Sequence, residues 1–121
     1  GSDIWLNNPV VTREASGTSG MSATMNGSIT VSTNDGWVRE FERDGENCFI
    51  IPEAKPGLAP EARDRSDRDN CYSILESKIL PLYYDNKEAW MDLVFTAMND
   101  ICPAFDSDRM ADEYYTKMYN C

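Results

Sequence analysis

The sequence predicts an α/β fold, a small and mostly parallel sheet followed by C-terminal helices, and three observations lead there. Strand, turn, helix and strand signals follow one another from Asp3 to Ser32; a proline-rich and then densely charged stretch comes next; and one-face helical spacing dominates the rest. At 121 residues the chain has the apolar content for one modest core.

The elements follow in order. Gly1-Ser2 resembles an expression remnant, which implies that the natural chain was cut. Asp3 to Asn7 reads as a short strand ended by Asn8-Pro9, because proline cannot donate to a ladder. In the run Glu14-Ala15-Ser16-Gly17-Thr18-Ser19-Gly20-Met21, small residues and a carboxylate crowd together just before a helix. Glycines let a backbone approach an anion, and the unpaired N–H groups of a first helical turn complete the cradle. The helix is expected from about Thr18 to Asn26, with Ser16 or Thr18 capping its start and Asn26-Gly27 its end. Ser28 to Ser32 is β-branched and alternating, hence a strand. Such an order forms the phosphate-binding edge of a parallel α/β sheet.

Asn34-Asp35-Gly36 is a turn signal, with Trp37 to Phe41 expected to be extended after it. Asp44-Gly45 turns the chain into Cys48 to Ile51, a short buried strand stopped by Pro52. Residues 3–52 thus form a first portion, 53–69 a charged surface loop, and 70–121 a helical segment. In that segment Tyr72, Leu75, Ile79 and Leu82 share a face, and Pro81 should end or kink the helix near Ile79. Asp85 and Glu88 have capping-box spacing, and Trp90, Leu93, Val94, Ala97, Met98 and Ile101 then recur on one face until Pro103. Asp106 or Ser107 can cap a last helix, in which Met110, Tyr114 and Met118 form one stripe and Ala111, Tyr115 and Tyr119 its neighbour.

Charge and cysteine usage exclude several functions. A net charge of −10, from 21 acidic and 11 basic residues with no histidine, repels phosphate backbones and anionic lipid, so neither nucleic acid nor a membrane surface is an expected partner. The apolar runs are too short to span a bilayer, and the N-terminus lacks a secretory pattern. Cys48, Cys71, Cys102 and Cys121 are widely spaced, which fits reduced thiols in a cytoplasmic protein and no metal site. Neither a Cys-His nor a Ser-His catalytic pair can be assembled, so no catalytic residue is expected within the chain.

Glu14 to Met21, with Asn26-Gly27 and Asp35-Gly36-Trp37 after it, resembles the C-terminal-domain signature of α-glucan (glycogen, starch, maltodextrin) phosphorylases of the short microbial type. Leu80-Pro81-Leu82-Tyr83-Tyr84-Asp85, Trp90, Pro103, Phe105, Arg109-Met110 and Glu113-Tyr114-Tyr115 resemble that type's terminal helices. The resemblance implies a partial Rossmann-like piece of the second domain of a GT-B glycosyltransferase, with the N-terminal domain outside this chain. The parent would cleave α-1,4-glucan with phosphate, reversibly, to glucose 1-phosphate, and the isolated 121 residues would be inactive. Its partners would be α-glucan and phosphate or a sugar phosphate. The apolar surface left without the first domain would drive self-association.

By the same resemblance Glu14 would bind glucosyl hydroxyls, and main-chain groups of Ala15, Ser16 and Gly17 would line the sugar and phosphate site. Gly17, Thr18 and Ser19 would hold the phosphate of pyridoxal phosphate. Ser22 stands where the family carries its Schiff-base lysine, and serine has no amine. Either the cofactor is held noncovalently or lost, or the helix N-terminus receives another phosphate in a pyridoxal-independent, glycogen synthase-like glucosyltransferase. A catalytically silent module that binds glucan or a protein is the third alternative. Trp37 and Arg39 either border the sugar cleft or, for Trp37, fill the core, whereas Trp90, Tyr114, Tyr115 and Tyr119 have the spacing of core or interdomain packing.

Overall fold

The computed structural model describes residues 1–120, so the expectation for Cys121 lies outside the described residues. Strands β1 (Ile4–Asn7), β2 (Ile29–Thr33) and β3 (Phe49–Ile51) form a three-stranded, all-parallel sheet in the order β1-β2-β3. Ile4 pairs with Ile29 and Asn7 with Ser32, while Val31 pairs with Phe49 and Thr33 with Ile51. Parallel neighbours need a crossover. Helix α1 (Thr18–Met25) supplies the first, and the four-residue helix α2 (Val38–Phe41) lies within the second. This is the α/β, partial Rossmann-like arrangement that the sequence predicts.

The sequence suggests an alternating, half-buried second strand, yet every residue of β2 is buried. Its central place removes both edges and both faces from water, so its hydroxyls must find partners inside. Thr24 on α1 donates to the Gly20 carbonyl (3.0 Å) and shares a hydrogen bond with Thr30 (2.9 Å), Ser32 donates to the Thr33 carbonyl (2.7 Å), and Thr33 donates to that of Pro9 (2.9 Å). Ile29, Val31, Val38, Cys48, Ile51, Ile79 and Ile101 are fully buried in one cluster with Trp37, Phe41, Trp90 and Leu93. Cys48, Cys71 and Cys102 are free thiols, and burial pushes that of Cys48 up to about 12.

Several local expectations need correction. Trp37 to Phe41 is not extended; the Trp37 amide is held by the Ser16 carbonyl (2.8 Å), which ties the start of α2 to the glycine-rich loop, and the main chain turns into α2 there. Neither Ser16 nor Thr18 caps α1. Gly17 occupies the cap in the left-handed region (φ 107°, ψ 42°), with no side-chain bond. The charged stretch 53–69 is a loop only as far as Ala59, since α3 runs Pro60–Ile74 with proline in its first turn, where its missing N–H costs nothing. One side of α3, made by Ala62, Arg63, Ser66, Asp67, Asn70, Cys71 and Ile74, is at least half-buried. Only its last two members are apolar enough to give a periodic signal.

Pro81 does not break the chain of helices. A π-helical segment, Leu75–Ile79, joins α3 to α4 (Leu80–Asp85), and its wider turn makes room for a proline in the first turn of α4. Tyr72 is exposed, and the buried face is instead Cys71, Ile74 and Ile79 with Leu75 and Leu82 beside them. The cap of α5 (Lys87–Phe105) is Asn86, whose side chain accepts from the Ala89 amide (3.1 Å), rather than Asp85. The helix buries Trp90, Leu93, Ala97 and Ile101 and continues through Pro103 to Phe105. Asp106 caps α6 (Ser107–Tyr114), which passes into a second π-helical segment, Tyr115–Tyr119. There Met110, Tyr114, Tyr115, Met118 and Tyr119 stand exposed.

Candidate functional site: the glycine-rich loop at the start of α1

The loop from Asn8 to Gly17 leaves the carboxyl end of β1 and feeds α1, the place where open parallel sheets take ligands. Its shape is set mainly by Asp35-Gly36-Trp37, just beyond the neighbouring end of β2. The Asp35 carboxylate, 5% exposed, accepts from the amides of Arg13 (3.0 Å) and Glu14 (2.9 Å). The Glu14 amide above all, with those of Gly36 and Arg13, holds its pKa below the usual carboxylate value against the opposing effect of burial. Gly36 (φ +63°) lets the loop close in, since a Cβ there would come within 2.6 Å of both Glu14 Cγ and the Ser16 carbonyl oxygen.

Trp37 completes the support. Its indole, 2% exposed, lies against Gly17 and Gly20, and a Cβ on either glycine would sit 2.9 Å from Nε1. Both glycines are therefore required for the approach of this ring, a reason that the anion-cradle reading of the sequence did not contain. Of its two sequence readings, Trp37 takes the core one, packed against Phe41 and edge-on to Phe105. Arg39 is exposed and its Nε donates to the Asn34 carbonyl (2.9 Å).

The structure brings the expected ligand-facing residues together on one rim. Glu14 and Gly17 are half-buried, and Ala15, Ser16, Thr18 and Ser19 are exposed around the first turn of α1. The Gly20 amide is taken by the Gly17 carbonyl (3.0 Å), whereas those of Thr18 and Ser19 have no intrahelical acceptor and carry the partial positive charge of the helix start. Ser22 lies one turn on, exposed, in a groove of about 410 Å³ lined also by Thr18, Met21, Met25, Cys102, Phe105 and Asp106. That lining contains no lysine. The donor set thus fits a phosphate at the helix start but offers no amine for covalent attachment of an aldehyde cofactor. Asp35 and Phe105 enter the sequence reading only within the motifs of the resemblance, and their roles in shaping the site were missed. An Asp-Gly pair directly after a strand that neighbours β1 in a parallel sheet was the available signal for the first; Phe105, from a distant helix, left none.

No helix among the described residues is long and apolar enough to cross a membrane. Among the same residues no group of three or more His, Cys, Asp or Glu side chains could hold a metal ion.

Together the parallel sheet, the crossover helix and the glycine-rich loop at its N-terminus define a partial Rossmann-like segment. Its relatives are more particular. The chain is 39% identical over 122 residues to the maltodextrin phosphorylase of Thermococcus litoralis, and 38% identical over 125 residues to the glycogen phosphorylase of Aquifex aeolicus, each match covering 99% of the chain. It is also 41% identical over 121 residues to an uncharacterized protein of Methanocaldococcus jannaschii. The chain spans 14%, 18% and 22% of the lengths of these relatives, respectively. No family model and no solved structure matches it. Over nearly its whole length the chain is similar to a segment of these named phosphorylases.

Proposed function

We propose that this chain is the loop-bearing part of the second domain of an α-glucan phosphorylase-like glycosyltransferase, whose parent releases glucose 1-phosphate reversibly from α-1,4-glucan. The observation that carries this reading is the 38–39% identity to named phosphorylases over 99% of the chain. In it, the Glu14 carboxylate accepts glucosyl hydroxyls, main-chain groups of Ala15, Ser16 and Gly17 line the sugar, and Gly17, Thr18 and Ser19 receive a phosphate. Two features support these roles. Asp35 holds the amide of Glu14 and so fixes where its side chain starts, and a helix N-terminus stabilises a dianion without reorganisation. The acidic composition and free thiols support a cytoplasmic setting.

When bound, pyridoxal phosphate would supply its phosphate group as the partner of the reacting phosphate. The residues of this chain would only bind and orient it, because Ser22 leaves it without a covalent tether. That same serine favours a second reading, a glucosyltransferase whose helix N-terminus takes the phosphate of a sugar nucleotide.

The test is the complete reading frame, expressed and assayed for glucose 1-phosphate release from maltodextrin and phosphate, with and without added pyridoxal phosphate. We expect turnover by the parent that depends on added cofactor, and none by the 121 residues alone. Turnover only with a sugar-nucleotide donor would establish the second reading. Glucan binding without turnover under either condition would leave a silent module and end the enzyme reading.

A further inference from the structure

We propose that Trp37 is a positioning residue for the phosphate loop: its indole sets the left-handed cap at Gly17 and thereby the direction of the Thr18 and Ser19 amides. The proposal rests on the phosphate reading of that loop given above. Glycine visits left-handed and right-handed backbone with similar ease, so Gly17 at φ 107° does not fix itself. Something must select that conformation. The indole is the group in contact, spanning Gly17 and Gly20, and it is held from its other sides by Phe41 of α2 (centroids 5.2 Å apart) and Phe105 at the end of α5 (5.6 Å). Its backbone amide, bonded to the Ser16 carbonyl at 2.8 Å, fastens the same loop a second time.

The indole Nε1–H is buried without a hydrogen-bond partner, although buried donors are nearly always paired. Its place beside both glycines follows if the position of the ring, rather than a bond from its N–H, is what the loop requires. An unpaired N–H there is also a sensitive reporter of any shift in the first turn of α1.

The experiment is a titration of the ¹⁵N-labelled chain with inorganic phosphate at constant ionic strength, followed by two-dimensional NMR. Three indole signals are expected, from Trp5, Trp37 and Trp90, and Trp37→Phe assigns one by deleting it. Phosphate should move the Trp37 indole and the Thr18 and Ser19 amides while leaving Trp5 and Trp90 in place. Trp37→Phe should weaken phosphate binding about tenfold. Gly20→Ala, which pushes the ring without deleting it, should do the same, as should Phe105→Leu, which frees its outer edge. These two carry the test if the tryptophan variant does not fold. A merely structural role would lower the melting temperature and leave the phosphate affinity of the folded variants unchanged, and that result overturns the proposal. If phosphate moves no signal in the unaltered chain, the phosphate reading of the loop falls and the role of Trp37 falls with it.

Discussion

Protonating one carboxylate should loosen the whole glycine-rich loop. Asp35 accepts two amides from that loop while almost entirely buried, and a charge-assisted bond of this kind contributes more than a neutral one. Its folded pKa lies below the value of an unfolded carboxylate, so the stabilisation is complete above the unfolded pKa and is lost as pH falls through the lower, folded one. Asp35→Ala should therefore cost roughly 1–3 kcal/mol at pH 7, a penalty that shrinks in acid as the unaltered chain loses the same bonds. Urea unfolding at neutral pH and below the carboxylate range measures the difference. An equal penalty at both would mean that the charge of Asp35 is not what holds the loop. The Asp35-Gly36 pair was legible as a turn, but that its carboxylate reaches back to Arg13 and Glu14 was not. The bond joins residues 22 and 21 positions apart, and a turn signal reports only its neighbours in sequence.

At the scale of elements, the helix starts divide into those that sequence spacing finds and those that geometry reassigns by one residue. Asp85 and Glu88 have capping-box spacing, yet Asn86 has the non-helical backbone (φ −139°, ψ 74°) and the bond to Ala89. Asn86→Ala should accordingly destabilise the protein by about 1 kcal/mol, and Asp85→Ala should stay within about 0.5 kcal/mol of zero. Thermal unfolding of the two variants decides it, and a larger loss for Asp85 would restore the cap read from spacing. The long periodic stretch of α5 was legible because Trp90, Leu93, Ala97 and Ile101 repeat a single apolar face. Helix α3 was not, because its inward side begins with Ala62, Arg63, Ser66 and Asp67, and the charges mask the period. Short helix α2 escaped for another reason: four residues are too few to show a period, and the tertiary contact at Ser16 decides their backbone.

For the whole molecule, the sheet and the C-terminal end present surfaces of different kinds. Strand β1 is an edge with no charge or proline in it, and Leu6 on it is 54% exposed. The last turns expose Met110, Tyr114, Tyr115, Met118 and Tyr119. Exposed apolar area on this scale favours association, opposed by the mutual repulsion of chains each carrying −10. Light scattering should therefore show a mass that rises with protein concentration, and more steeply as salt screens the charge. A constant monomer mass at all concentrations and salt levels would refute the expected self-association.

Class and likeness are written in the sequence: period and turn chemistry place the β-α-β edge and the long helix, and spaced motifs carry the resemblance to phosphorylases. These are signals that neighbouring residues carry among themselves. Tertiary structure alone decided what the glycines at 17 and 20 are for, which residue holds the loop, and that all of β2 is buried. The physical reason is the same in each case. Close approach and burial depend on which distant groups arrive at a site, here the Trp37 ring, the Asp35 carboxylate and the strands flanking β2, and no local pattern encodes that arrival.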